Sequence, residues 1–97
     1  MQIAIPRDQI EAFCRRNNIR RMSVFGSALN GGLREASDLD VLVEFEPGRE
    51  PGYAFFGMER ELSGMFGRRV DLNTPGSLGP RYRERVLSEA EVIYAGA

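Results

Sequence analysis

The feature that most constrains the fold is a run rich in branched aliphatic residues, LDVLVEF, at residues 39–45. Branched aliphatic and aromatic residues favour strands, because their side chains pack well on a pleated surface. Pro47 and Gly48 follow the run, and this pair is typical of a turn. The run therefore predicts the central strand of a sheet, on which the rest of the chain has to pack.

The first part of the chain has the pattern of a helix followed by a short strand. Apolar residues three and four apart, with an acidic pair spaced as in a capping box, predict a helix over residues 7–17. The apolar residues are Ile10, Phe13 and Cys14, and the acidic pair is Asp8 and Glu11. Residues 21–25 predict a strand. Residues 26–37, which contain three glycines, can form only a turn and a short helix.

The second part of the chain alternates in the same way. A stripe of apolar side chains predicts a helix that ends at Gly67, and the stripe consists of Phe55, Met58, Leu62 and Phe66. A strand is predicted at 69–73, and Pro80 begins a helix whose inward residues are Tyr82, Val86 and Ala90. Residues 92–94 are either a strand or a packed tail. This order predicts one α/β or α+β domain over residues 1–97, with a small mixed sheet of three or four strands flanked by helices.

The composition excludes several classes of function. The chain has 97 residues and no histidine, which excludes Ser-His-Asp and Cys-His nucleophile systems and the usual zinc sites. A net charge of −1 argues against nucleic acid as a partner, because a bulk electrostatic grip needs a basic excess. The sequence shows neither a secretory leader nor a membrane span, so we expect a cytoplasmic protein without a membrane partner. Cys14 is expected to be a small buried apolar residue.

The strongest candidate for a functional site is the pair Asp38 and Asp40 at the start of the central strand. Side chains two apart on a strand point to the same face, with Cα atoms about 6.5 to 7 Å apart, so these carboxylates can converge on one metal ion. Aspartate is depleted in strands and an unpaired buried carboxylate is costly, so the pair calls for a cation. By itself, the pattern is more often a loop closure beside a solvated strand end.

Two other segments strengthen the interpretation of this pair as a site. Gly26 directly follows the first strand, where a residue without Cβ lets the backbone turn sharply and approach a ligand. Ser27 offers a hydroxyl and a backbone N–H to phosphate oxygens at the start of the short helix. Ten residues separate Ser27 from Asp38, enough to bring the first two strands side by side. Asp71, with apolar neighbours on both sides, would join the cluster if the third strand lies beside the second.

These motifs together resemble the minimal nucleotidyltransferase (MNT) family of the DNA polymerase β-like nucleotidyltransferase superfamily. The resemblance rests on Gly26-Ser27, the ten-residue gap, Asp38-Leu39-Asp40, and Asp71 between hydrophobic residues. It covers nearly the whole chain.

The resemblance implies an enzyme in which Asp38, Asp40 and Asp71 are catalytic and bind two Mg²⁺ ions. Asp71 would also take the proton from the attacking hydroxyl, and Gly26 and Ser27 would hold the triphosphate of ATP. Two metal ions about 3.5 to 4 Å apart would stabilise the attacking and leaving oxygens at the α-phosphorus. The resemblance further implies an antitoxin that transfers AMP to a tyrosine of a HEPN-type ribonuclease toxin.

Other interpretations remain open at this point. Many family members carry arginine just after Gly-Ser, whereas this chain has Ala28 and Asn30. Arg34 could supply that charge or could simply lie on a helix, and the arginines at 68–69 and 81–85 are expected on solvated faces. The main alternative is a non-catalytic antitoxin that masks its partner, but three retained aspartates favour the enzyme. The nucleotide base, the acceptor and self-association into a homo-oligomer are left open.

Overall fold

The computed structural model describes residues 4–26 and 38–96, which form helices packed on a four-stranded mixed sheet. In chain order the elements are α1 (Arg7–Arg16), β1 (Ile19–Phe25), β2 (Leu39–Phe45), α2 (Ala54–Phe66), β3 (Val70–Asn73), a 3-10 turn (Pro75–Ser77), α3 (Pro80–Glu89) and β4 (Glu91–Ala95). The strand order is β3-β2-β1-β4. β1 is antiparallel to both of its neighbours, and β2 is parallel to β3. The predicted fold class is confirmed.

The strand β2 is central and is buried on both faces. Leu39, Val41 and Val43 face the larger core, which they share with α1, α2 and residues of β1. Leu42 points to the opposite face and packs in a smaller cluster with Phe25, Leu78 and Val86, below α3. A strand with apolar neighbours on each side needs the branched aliphatic side chains that this segment carries.

The helix α2 connects β2 to β3, because two parallel strands cannot be joined by a short hairpin. Met58 and Leu62 are buried in the larger core, and the predicted C-terminal Gly67 has the left-handed φ of 67°. Two polar side chains of α2 accept hydrogen bonds from backbone N–H groups of β3. Ser63 Oγ accepts from Val70 N and Glu59 Oε2 accepts from Leu72 N, both at 2.9 Å. These bonds hold β3 in place beside β2.

The start of α1 differs from the prediction of a capping box. The N-cap is Pro6, which has no side-chain oxygen, and no side chain caps the helix. Asp8 therefore lies inside the first turn, where an acidic side chain interacts favourably with the helix dipole. Glu11 instead forms an ion pair with Arg15 at 3.0 Å.

The last third of the chain differs in part from the sequence prediction. Tyr82 was predicted to face inward, but it is 50% exposed, and its ring makes a T-shaped contact with Phe25. Ala90 follows the last residue of α3 and is partly buried against the smaller cluster. Residues 92–94, which were predicted to form either a strand or a packed tail, belong to the strand β4, which pairs with β1 at the edge of the sheet. The predicted helix between 26 and 37 lies outside the described residues.

None of the helices in the described part of the chain combines the length and apolar character that a membrane span requires.

Candidate active site

The sheet register places Asp40 directly beside Asp71. The two residues are Cα partners in the parallel pair of β2 and β3, and partners on adjacent strands point to the same face. The carboxyl group of Asp71 lies close enough to Asp40 to disfavour the charged form of Asp40.

The surroundings of Asp40 disfavour its charged form. Burial raises the pKa of Asp40 above its ordinary value, the charges of Asp71 and Asp38 raise it further, and protonated Asp40 can donate a hydrogen bond to Asp71, which acts in the same direction. The carboxylates repel one another when they are all ionised. A proton or a cation between them relieves this repulsion.

Asp38 precedes β2 by one residue and lies at the rim of the cluster. Its Oδ2 atom is 4.0 Å from Nε of Arg69, and both side chains are largely solvated. The backbone N–H of Leu39 also donates to the carbonyl of Arg69 at 2.8 Å, which fixes this corner of the sheet. The contact of Arg69 with Asp38 was not predicted. It follows from the register of β2 and β3, which pairs Leu39 with Val70 and so brings the preceding residues together.

Gly26 closes the cluster from the side of β1. Its φ is 73°, and a Cβ built at this position would lie 2.4 Å from Oδ2 of Asp40. Phe25, the residue before it, is the register partner of Asp40 on β1. The absence of a side chain at Gly26 therefore allows the backbone turn to lie directly against the Asp40 carboxylate. Ser27, Ala28, Asn30 and Arg34 lie outside the described residues, and so does their predicted contact with phosphate.

The donor set is suited to a hard cation, although the groups are not arranged as a finished metal site. Mg²⁺ prefers a few carboxylates together with phosphate oxygens and water. Over residues 4–26 and 38–96, no group of three or more His, Cys, Asp or Glu side chains is positioned to hold a metal ion. Asp40 and Asp71 are paired with each other, and Asp38 faces Arg69. To serve as a third ligand, Asp38 would have to turn away from Arg69.

The arginines near α3 have different roles. Arg83 supports the fold, since its guanidinium donates to the backbone carbonyls of Pro75 at 2.6 Å and Leu78 at 3.0 Å. Arg85 forms an ion pair with Glu89, and both lie beside Phe25 and Gly26. The arginines at 81–85 were expected on solvated faces, and the side chain of Arg85 is exposed. The helix α3 packs over β1 and β2, through Phe25 and Leu42.

The family model described as nucleotidyltransferase domain matches residues 7–93, nearly the whole chain. The chain thus has the nucleotidyltransferase fold and belongs to the nucleotidyltransferase class of enzymes. The relatives and solved structures that resemble it include proteins named MntA and minimal nucleotidyltransferase. The chain belongs to the minimal nucleotidyltransferase family.

The relatives are similar over most of their length. The protein adenylyltransferase MntA of Thermococcus cleftensis is 39% identical over 80 residues, covering 81% of this chain and 77% of that protein. A solved structure provisionally named a minimal nucleotidyltransferase is 43% identical, with a TM-score of 0.73, and the match covers 87% of this chain and 85% of that one. A toxin–antitoxin structure with AMP-PNP has a TM-score of 0.76 at 19% identity, covering 95% and 75% of the two chains, which shows a shared fold.

Proposed function

We propose that this chain transfers AMP from ATP, with Mg²⁺, to a tyrosine hydroxyl of a partner protein, and that the partner is a HEPN-type toxin. The observation that carries the proposal is the Asp40–Asp71 pair on one sheet face, against the Cα of Gly26. Two names among the comparisons support the choice of reaction and partner. One is the protein adenylyltransferase MntA. The other is a structure of a tri-AMPylated Shewanella oneidensis HEPN toxin in complex with an MNT antitoxin, which is similar in fold at a TM-score of 0.66.

The three aspartates would hold the metal and manage one proton. Asp38, Asp40 and Asp71 would bind two Mg²⁺ ions, which when bound would offset the negative charge of the triphosphate. Asp71 is exposed at the end of the cluster, within reach of an incoming hydroxyl, and would accept its proton. The turn at Gly26 would hold the phosphates beside Asp40, and Ser27 would donate hydrogen bonds to them.

The reaction replaces one bond to phosphorus with another. The tyrosine oxygen attacks the α-phosphorus of ATP, the bond from that phosphorus to the pyrophosphate oxygen breaks, and pyrophosphate leaves. The phenolic proton passes to Asp71. The partner gains AMP on an oxygen, and no oxidant or reductant is needed.

The test is mass spectrometry of a HEPN-type protein that forms a complex with this chain, after incubation with the chain, ATP and Mg²⁺. We expect the partner to gain AMP. Asp71→Asn should slow the transfer by roughly 10²- to 10⁴-fold, as expected for the loss of a general base, while nucleotide binding is retained. The matched control is Asp8→Asn, the same chemical change at an exposed position of α1.

The competing function is masking without catalysis. If the partner is inhibited in a tight complex but never gains AMP, the antitoxin acts by masking and the proposal of transfer is wrong. Equal loss of transfer in Asp71→Asn and Asp8→Asn would remove Asp71 from the reaction.

A cytoplasmic location and a single domain over residues 1–97 remain predictions.

A further inference from the structure

A small cleft opens on the α3 side of Gly26, outside the aspartate cluster. Its volume is about 160 Å³. We call it the Tyr82 cleft, and its lining residues are Phe25, Gly26, Tyr82, Arg85, Val86 and Glu89. Sites that enclose a whole ligand are about 300 to 1,000 Å³, so this cleft is large enough for one ring system of a ligand and not for a complete nucleotide.

The walls of the Tyr82 cleft favour an uncharged, flat group. Tyr82 is 50% exposed, although it lies on a helix whose Val86 is buried. Its ring makes a T-shaped contact with Phe25, with centroids 6.4 Å apart and planes at 70°. The charges of Arg85 and Glu89 oppose each other across 3.5 Å, so the rim carries no net charge. An exposed aromatic ring beside a cleft is suited to stacking with another ring.

The position of the cleft connects it to the candidate active site. Gly26 forms one wall of the cleft, and the same residue lies against the carboxylate of Asp40. A nucleotide whose phosphates lie at Asp40 would therefore have the aromatic wall of the Tyr82 cleft on the other side of Gly26.

We propose that the Tyr82 cleft binds the nucleobase of the nucleoside triphosphate, and that Tyr82 stacks on that base. This inference rests on the proposed function, because it assumes that the triphosphate lies at Gly26 and the aspartates. Tyr82 is a positioning residue in this proposal: it orients the nucleotide and takes no part in the bond exchange.

The test compares ATP with inorganic tripolyphosphate, which has the phosphates and lacks the base. Calorimetry in the presence of Mg²⁺ should show that Tyr82→Ala weakens ATP binding by roughly 5- to 100-fold, the range for loss of one base–aromatic stack, and leaves tripolyphosphate binding unchanged. Tyr82→Phe should bind ATP as the wild type does, because stacking uses the face of the ring. Leu87→Ala is the matched control, since Leu87 lies on the same helix with a similar exposure of 45%.

A second measurement reports contact with the base directly. The chain contains no tryptophan, so Tyr82→Trp introduces a single fluorescent indole. Its emission should change on addition of ATP and stay constant with tripolyphosphate, whereas Leu87→Trp should respond to neither.

The outcomes separate the two proposals. If the wild type binds ATP and Tyr82→Ala binds it equally well, or if Tyr82→Ala weakens ATP and tripolyphosphate alike, the base does not lie on Tyr82 and only this inference is wrong. If the wild type binds neither compound, the proposed function is wrong and the inference falls with it. Thermal unfolding of each variant confirms that the fold is retained, which we expect because Tyr82 is half-exposed.

Discussion

Replacing Gly26 with alanine tests whether this glycine serves the fold or the site. Two costs apply at this position. The first is conformational: with φ at 73°, an L-residue is in the left-handed region, which costs roughly 1 to 2 kcal/mol. The second is steric, because the new Cβ would lie 2.4 Å from Oδ2 of Asp40, much closer than two such atoms can approach.

The two costs should appear in different measurements. The atom that is too close is the end of a flexible side chain, and the Asp40 Cγ and Cβ atoms, at 3.4 and 3.7 Å, are further away. The carboxylate can therefore turn aside at little cost in stability. In turning, it leaves its position beside Asp71. We expect Gly26→Ala to lose roughly 1 to 2 kcal/mol of unfolding free energy, a decrease in Tm of about 4 to 16 °C, and to lose metal-dependent ATP binding as well.

Gly67→Ala is the matched control for the conformational cost. Gly67 has nearly the same φ, 67°, and a Cβ there would meet nothing within 4 Å. This variant should lose a similar amount of stability and keep full ATP binding. The assays are thermal unfolding by circular dichroism and calorimetry with ATP and Mg²⁺. If Gly26→Ala binds ATP as well as Gly67→Ala does, or loses several kcal/mol more stability, then the contact with Asp40 does not act as argued.

Two further predictions follow from the buried titratable groups. Because the pKa of Asp40 is raised in the folded chain, the folded state binds the Asp40 proton more tightly than the unfolded state does. The stability that this proton contributes is present below the unfolded pKa and is lost as pH rises through the folded pKa. Without metal, the urea-unfolding free energy of Asp40→Asn should therefore decline less than that of the wild type between about pH 4 and pH 7. At neutral pH the variant should be at least as stable as the wild type. A clear loss of stability in the variant at neutral pH would contradict the repulsion among the carboxylates. Burial raises the pKa of the Cys14 thiol to about 12 and leaves it without exposed surface, so a thiol reagent should label it only at the rate of unfolding. Rapid labelling in native buffer would show that α1 opens locally.

Residue patterns within single segments were enough to predict most of the elements. The strand at 39–45 and the helix that ends at Gly67 agree with the structure. β1 begins at residue 19 and β3 at residue 70, close to the predicted 21 and 69. These predictions were successful because apolar periodicity and glycine at a helix end reflect interactions among residues close together in the chain.

The candidate site was predicted from motif spacing, and the part of it that the structure describes is assembled by pairing between strands. The sequence alone suggested that Asp40 and Asp71 would meet if β3 lay beside β2, and the parallel register makes them Cα partners. The cation prediction and the roles of the aspartates stay predictions. Ser27 remains an expectation from its place after Gly26.

What only the tertiary structure decided depends on contacts between distant segments. The sequence contained no sign that Arg69 would contact Asp38, that β4 would pair with β1, or that Tyr82 would be exposed at the edge of a cleft. The predicted capping box is absent for a local reason, because Pro6 is the N-cap of α1 and Asp8 lies within the first turn. Local patterns determine which segments become helices and strands, because those interactions span only a few residues. Which side chains meet at the site is determined by strand register and by the face on which each helix packs, and both are properties of the assembled sheet.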